Sequence, residues 1–184
     1  HDMRSPQASI LAVLDGEDAA GMPDPLRQRI ANYARRTLTL ADDFIQLARA
    51  EAAAYDTEEV SMGDLLIEAA DDLWPLSSAR GITVVTEIDE ADPLVRGDRA
   101  LLTRALINII GNAIKYSPDG TRITGRVTAT KAEVSCSVAD EGRGLTKQEI
   151  EAMFRPFSRA SEAGRVRTDG AGLGLSFVRT VVER

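Results

Sequence analysis

The clearest pattern of hydrophobic and polar positions runs from residue 26 to residue 47. Side chains spaced alternately four and three residues apart form a heptad seam with one polar member: Leu26, Ile30, Tyr33, Thr37, Leu40, Phe44 and Leu47. This spacing places them on one face of an α-helix. No Gly or Pro interrupts the chain between Pro25 and Gly63, so the pattern predicts a long amphipathic helix.

A shorter apolar face lies upstream, at Ile10, Val13 and Leu14, and predicts a shorter helix. The stretch between the two, residues 15–25, is rich in Gly, Pro and Asp and predicts a turn. The two helices would form an antiparallel hairpin. A hairpin cannot bury such a seam alone, so we expect it to pair with a second copy in a four-helix bundle.

The pattern changes after about Tyr55. We predict helices over residues 60–81, 98–117 and 146–153 and from residue 172, and strands over 82–88, 122–130 and 132–139. Helices mixed with antiparallel strands predict an α+β fold in which helices cover a sheet.

Composition narrows the class of protein. The net charge of −7 disfavours binding to a nucleic-acid backbone, which requires cations. A single histidine and a single cysteine, Cys136, exclude an intrachain disulfide framework and disfavour a structural zinc site. Neither a membrane-spanning apolar run nor a signal peptide is evident. We expect a soluble, cytoplasmic chain that binds no nucleic acid and does not itself span a membrane.

Three polar or glycine-rich segments are candidates for chemistry. They are DEGRGL at residues 140–145, DGAGLGLSF at residues 169–177, and the side chains of Asn108, Asn112 and Lys115 on one helix face. Taken singly, each is equally well explained as a loop, a helix start or a solvated face. Neither the P-loop pattern nor the dinucleotide-binding fingerprint is present.

These segments nevertheless offer the groups that a nucleotide needs. A glycine-rich turn before a helix suits a polyphosphate, because its bare N–H groups can approach the anion. Asp140 could accept a hydrogen bond from an exocyclic amino group. Asn112 could offer an oxygen to Mg²⁺, which with phosphates needs few protein ligands.

Four blocks in this order resemble the catalytic ATP-binding domain of sensor histidine kinases: NIIGNAIKYS (108–117), DEGRGL (140–145), FRPF (154–157) and GAGLGL (170–175). The resemblance implies an ATP-binding α/β sandwich in which Asp140 reads the adenine amino group and Asn112 holds Mg²⁺. Residues 158–171 would form a lid. The remaining nucleotide-binding residues would be Asn108, Lys115, Tyr116, Gly142, Gly144, Arg159, Gly170, Gly172 and Gly174.

The chain begins HDMRSPQ, and His1 is its only histidine. Alone, a terminal histidine beside methionine could equally be a remnant of cloning. Beside the four blocks it resembles the family's phospho-acceptor box. That resemblance implies that His1 takes the γ-phosphoryl group, that Asp2 orients the ring or accepts its proton, and that Ser5 positions a water for dephosphorylating the partner regulator.

The resemblance also implies a domain organisation. We expect residues 1–54 to be a dimerisation and histidine-phosphotransfer hairpin and residues 55–184 to be the catalytic domain. Relatives carry a helix before the acceptor histidine and two strands after the last helix, so we expect truncation at both ends. The expected function is an ATP-dependent protein-histidine kinase core, a homodimer through the helices of residues 1–50 that passes phosphate to an Asp of a response-regulator receiver domain.

Other functions use the same nucleotide fold. ATPases of the gyrase and chaperone type often carry Glu at the position of Asn108 to activate water, and an amide cannot act as a base. A serine kinase would need neither the histidine block nor the hairpin. A degenerate nucleotide-binding module that dimerises and regulates without phosphotransfer remains the alternative.

Overall fold

The computed structural model describes residues 10–14, 24–51, 56–89, 93–156 and 172–183. The first elements are α1 (residues 10–14) and α2 (Asp24–Glu51). The long predicted helix is therefore confirmed, whereas most of the predicted turn lies outside the described residues. Asp24 in the first turn of α2 and Arg49 in the last turn complement the helix dipole.

The heptad seam of α2 is largely open to solvent in the single chain. Leu26, Tyr33 and Phe44 are 46%, 55% and 59% exposed. A different face of the same helix is buried, at Ala31, Ala34 and Ala41. The seam is thus an apolar surface that the described part of one chain does not cover.

The remainder of the described chain contains both helices and strands. In chain order the elements are β1 (Glu58–Ser61), α3 (Met62–Asp72), α4 (Trp74–Ser78), β2 (Thr83–Ile88), β3 (Leu94–Gly97), α5 (Arg99–Tyr116), β4 (Arg122–Ala129), β5 (Val134–Ala139), α6 (Lys147–Met153) and α7 (Gly174–Val182). No helix in the described part of the chain has both the length and the apolar character needed to cross a membrane.

The helix predicted over residues 60–81 is wrong in its extent. Residues 58–61 form β1 instead, and α3 begins after Ser61, whose hydroxyl accepts a hydrogen bond from the amide of Asp64 at 2.9 Å. The helical path then breaks at Leu73, and Pro75 lies in the first turn of α4. Proline has no N–H to donate to the carbonyl four residues before it and fits a first turn, which explains the division.

The strands form two sheets. β1 and β3 pair antiparallel, with Val60 opposite Val95. The larger sheet has the order β2-β4-β5, in which β4 and β5 are antiparallel and β2 and β4 are parallel. The expectation of antiparallel strands alone is therefore wrong for β2 and β4. A parallel pair needs a long crossover, and β3 with α5 supplies it.

One face of the larger sheet is covered by α3 and α5. The core between them contains the fully buried Leu65, Leu66, Ile110, Ile114, Ile123 and Val127. The opposite face of β4 carries Arg122 and Arg126, both exposed. The predicted α+β fold, a sheet covered by helices, is confirmed.

A second apolar cluster joins α2, α5 and α7, and contains Ala50, Leu101, Ala105, Phe177 and Val178. Helix α5 therefore buries one face against the sheet and another against α7 and the end of α2. Its third face is left for polar residues.

Candidate functional site

The third face of α5 borders a cleft of about 490 Å³. Asp98 starts this helix, since its carboxylate accepts a hydrogen bond from the amide of Leu101 at 3.1 Å. Eight of the predicted site residues line the cleft together: Asn108, Asn112, Lys115, Tyr116, Asp140, Gly144, Gly172 and Gly174. The end of α5, the loop after β5 and the start of α7 thus converge, as the sequence pattern indicated.

Asp140 follows β5 and is held by the backbone of its own loop. The amide of Gly142 donates to Asp140 Oδ1 at 2.7 Å. A Cβ at Gly142 would lie 2.6 Å from that oxygen and 3.1 Å from the carbonyl oxygen of Tyr116. Only glycine fits between the two groups. One oxygen of the carboxylate is fixed in this way, and the second retains its capacity to accept a hydrogen bond.

The start of α7 faces α5 at equally close range. A Cβ at Gly174 would lie 2.8 Å from Asn108 Oδ1, so the backbone of α7 passes directly over this amide. Gly172 has a φ of +73°, a backbone conformation that is unfavourable for residues with a Cβ atom. Leu173, at the N-cap position, provides no side-chain hydrogen bond to the first turn. Uncapped N–H groups at a helix start favour an anion.

Lys115 and Tyr116 bring a cation and an aromatic ring to the cleft. The ammonium nitrogen of Lys115 lies 5.2 Å from the centre of the Tyr116 ring, within the range of a cation–π contact. Half of the Tyr116 side chain remains exposed. The cleft thus combines an amide-lined face, a fixed carboxylate, a lysine and an uncapped helix start.

Arg143 lines the cleft and is a residue that motif reasoning did not assign. Its guanidinium bonds to Glu149 Oε1 at 2.6 Å. Glu149 also accepts from the amide of Thr146, whose hydroxyl accepts from the amide of Glu149, which together form a capping box at α6. These hydrogen bonds lower the pKa of Glu149 to about 2, and the bond from Arg143 has a larger effect than those from Thr146. The loop after β5 is thereby tied to α6.

Asp43 and Arg104 also line the cleft and were missed by the sequence analysis. Their ion pair, 3.2 Å long, connects α2 with α5. The Asp43 side chain is only 15% exposed, and burial raises the pKa of its carboxyl group although Arg104 acts in the opposite sense. The two residues are separated by 61 positions, and no local pattern could have indicated their contact.

A divalent cation would find few ligands of its own here. Among the described residues, no group of three or more His, Cys, Asp or Glu side chains could hold a metal ion. The amide oxygen of Asn112 fits Mg²⁺ that receives most of its ligands from phosphates and water.

Five predicted site residues, His1, Asp2, Ser5, Arg159 and Gly170, lie outside the described residues. Their roles therefore stay predictions.

Comparison with known proteins agrees with this geometry. Residues 97–184 match the family described as histidine kinase-, DNA gyrase B-, and HSP90-like ATPase. This match contains α5, the loop after β5 and α7, the three elements that carry the predicted site residues lining the cleft.

Similarity to individual proteins extends over the whole chain. Sensor histidine kinase WalK of Bacillus subtilis (strain 168) is 27% identical over 195 residues, which cover all of this chain and 31% of WalK. Sensor histidine kinase RppB of Synechocystis sp. is 27% identical over 188 residues, which cover 98% of this chain and 41% of RppB. The chain thus spans less than half the length of these curated relatives.

A solved structure shows the same fold. The crystal structure of full-length ShkA in complex with AMPPNP superimposes with a TM-score of 0.77 and 25% identity, over all of this chain and 39% of that one. The predicted resemblance of the chain to sensor histidine kinases is confirmed.

Proposed function

We propose that the cleft binds ATP with Mg²⁺ and that the chain is the core of an ATP-dependent protein-histidine kinase in a two-component system. The observation that carries this proposal is the fixed Asp140 carboxylate, placed in one cleft with Asn112, Lys115 and the uncapped start of α7. Asp140 would accept a hydrogen bond from the adenine amino group, and the phosphates would lie toward α7 and Lys115.

The remaining cleft residues fit the same assignment. Asn112 would hold Mg²⁺, which neutralises phosphate charge when bound. Asn108 is fixed by the close approach of Gly174 and, as an amide, cannot take a proton from water. This favours transfer of the phosphoryl group over its hydrolysis. Arg159 and Gly170 would complete the phosphate contacts.

The phosphoryl acceptor in this proposal is His1. A ring nitrogen of His1 would form a bond to the γ-phosphorus as the bond to the β–γ bridging oxygen breaks and ADP leaves. Asp2 would accept or orient the proton on the other nitrogen. The phosphoryl group would pass to an Asp of a receiver domain. Ser5 would position a water for the hydrolysis that later removes it from that Asp as inorganic phosphate. Because ATP is the donor, we propose the cytoplasm as the compartment.

The domain division follows the same proposal. Residues 1–54 would form the dimerisation and phosphotransfer hairpin, and residues 55–184 the catalytic domain. The exposed seam of α2 supports a homodimer, because an apolar stripe containing Tyr33 and Phe44 is otherwise left in water. We expect Phe44→Glu to convert a dimer to a monomer in light scattering, and Arg29→Glu, on an exposed position of the same helix, to leave the dimer intact.

Autophosphorylation tests the kinase proposal directly. The chain is incubated with γ-labelled ATP and Mg²⁺ beside His1→Gln and Asp140→Asn. Acid-labile, base-stable label that both substitutions abolish is the expected result. Label that survives in His1→Gln would refute His1 as the acceptor. ATP binding with no label in any form would instead favour the regulatory module without phosphotransfer.

A further inference from the structure

Arg80 lies outside the cleft but binds the end of the helix that forms it. Its Nη1 donates to the carbonyl oxygens of Ile114 and, at 3.4 Å, Lys115. Its Nη2 donates to the carbonyl of Ser117 at 2.8 Å, and its Nε to Asp119 Oδ1 at 2.7 Å. The side chain is 31% exposed. One guanidinium thus occupies several acceptors at the last turn of α5 and just beyond it.

These acceptors need a partner. The last four carbonyl groups of an α-helix lack the usual intrahelical donor. In α5 the carbonyl of Ala113 accepts from the amide of Ser117, and those of Ile114 and Lys115 accept from Arg80. A cation at this end also complements the helix dipole. Arg80 is held in place in turn, because its own carbonyl accepts from the amide of Gly120 at 3.0 Å. Both the side chain and the backbone carbonyl of Arg80 therefore bond to the segment at and just after the end of α5.

The turn that Arg80 binds lies against the loop that holds the Asp140 carboxylate. The Tyr116 carbonyl oxygen lies so close to Gly142 that a Cβ there would be 3.1 Å away. The amide of Gly142 in turn donates to Asp140 Oδ1. A displacement of the Tyr116 backbone would therefore shift Gly142 and, through it, Asp140.

We propose that Arg80 is a positioning residue for base recognition. It holds the final turn of α5, and that turn holds the loop that orients the Asp140 carboxylate. This inference rests on the proposed binding of ATP in the cleft. Arg80 does not line the cleft. In this proposal it nevertheless contributes to the discrimination between ATP and a nucleotide whose base lacks the exocyclic amino group.

Arginine suits this role because its planar fork serves acceptors in several directions at once. Lysine is a point charge with three donors and cannot reproduce that pattern. Arg80→Met keeps much of the aliphatic stem and removes every donor. Arg80→Lys keeps the charge and is expected to give an intermediate effect.

The test is the ratio of the dissociation constant for ITP to that for ATP, measured by calorimetry with Mg²⁺ on the whole chain. ITP carries a carbonyl where ATP carries the amino group. We expect Arg80→Met to weaken ATP binding about tenfold, about 1.4 kcal/mol, and to leave ITP binding nearly unchanged, so that the ratio falls by a similar factor. General destabilisation would lower the competent fraction and affect both nucleotides alike, which leaves the ratio unchanged.

Arg126→Met is the matched control, since Arg126 pairs with Glu87 at 2.7 Å on the exposed face of the sheet. It should leave the ratio as in the unsubstituted chain. If Arg80→Met does not fold, Arg80→Lys decides the matter, and a reduced ratio supports the proposal. A ratio equal to that of the unsubstituted chain in the folded Arg80 variants overturns it. Failure of the unsubstituted chain itself to prefer ATP would instead refute the proposed recognition of adenine by Asp140.

Discussion

The Gly142→Ala substitution places a methyl group between Asp140 and Tyr116. Its carbon would lie 2.6 Å from Asp140 Oδ1, and real Cβ atoms essentially never approach another heavy atom closer than 3.0 Å. The Tyr116 carbonyl oxygen, 3.1 Å away on another side, restricts escape of the backbone. The carboxylate must therefore withdraw, and the bond of 2.7 Å from the Gly142 amide is stretched or lost.

The expected cost follows from that bond. A hydrogen bond to a charged group contributes about 1.5–3 kcal/mol. If the bound nucleotide requires the Asp140 carboxylate in its present place, returning the carboxylate to that place reduces the binding free energy by an amount of this order. ATP binding should then weaken by about 10- to 100-fold. Helix and sheet content should change little, because the loop lies outside the apolar core.

Calorimetric titration with ATP and Mg²⁺ measures this change, and Gly125→Ala provides the contrast. A Cβ at Gly125 would meet Leu66 Cδ1 at 2.9 Å inside the core, so this variant should lose stability to urea while its folded fraction keeps its affinity for ATP. A dissociation constant for Gly142→Ala within about twofold of the unsubstituted value would refute the reasoning, since it is far below the 10-fold effect expected.

Three further predictions concern the surroundings of the cleft. Arg104→Met should lower the urea midpoint more than Asp43→Asn, because only the former leaves the mostly buried carboxylate, whose pKa burial raises, without its partner; the reverse order would contradict this. Because the pKa of Glu149 is lowered from 4.5 to about 2, its stabilising contribution is complete above its unfolded value and is lost as the pH falls toward 2. In carbon NMR titrations Arg143→Met should raise that pKa, and an unchanged midpoint would show that Arg143 is not the cause. Gly111→Ala, with no atom within 4 Å of the added carbon in α5, should raise the free energy of unfolding by about 0.5–1 kcal/mol, whereas a loss of stability would reveal a hidden steric conflict.

Local sequence specifies the features that depend on neighbouring residues. The seam of α2, the Asp98 cap and the Ser117-Pro118 end of α5 are local signals. The bounds of α5 were predicted within one residue and those of α2 within four. The common face of Asn108, Asn112 and Lys115 follows from helical periodicity alone. The ordered glycine blocks indicated the elements that meet in the cleft.

Tertiary structure decided the features that depend on distant partners. Strands β1 and β3 have only four residues each, which is too short for a strong alternating pattern. They are held together by their mutual pairing, in which Val60 lies opposite Val95. The parallel pairing of β2 with β4 depends on the path of the crossover. The division between α3 and α4 had a local signal, Pro75, which was outweighed by apolar residues on both sides.

The side-chain contacts around the cleft also depend on distant partners. Asp43 meets Arg104, and Arg80 meets the end of α5 across more than thirty positions. A charged side chain in sequence shows only that it can form an ion pair or bind a carbonyl group. Which partner it finds is decided by the packing of the apolar faces, because that packing brings distant segments within hydrogen-bonding distance.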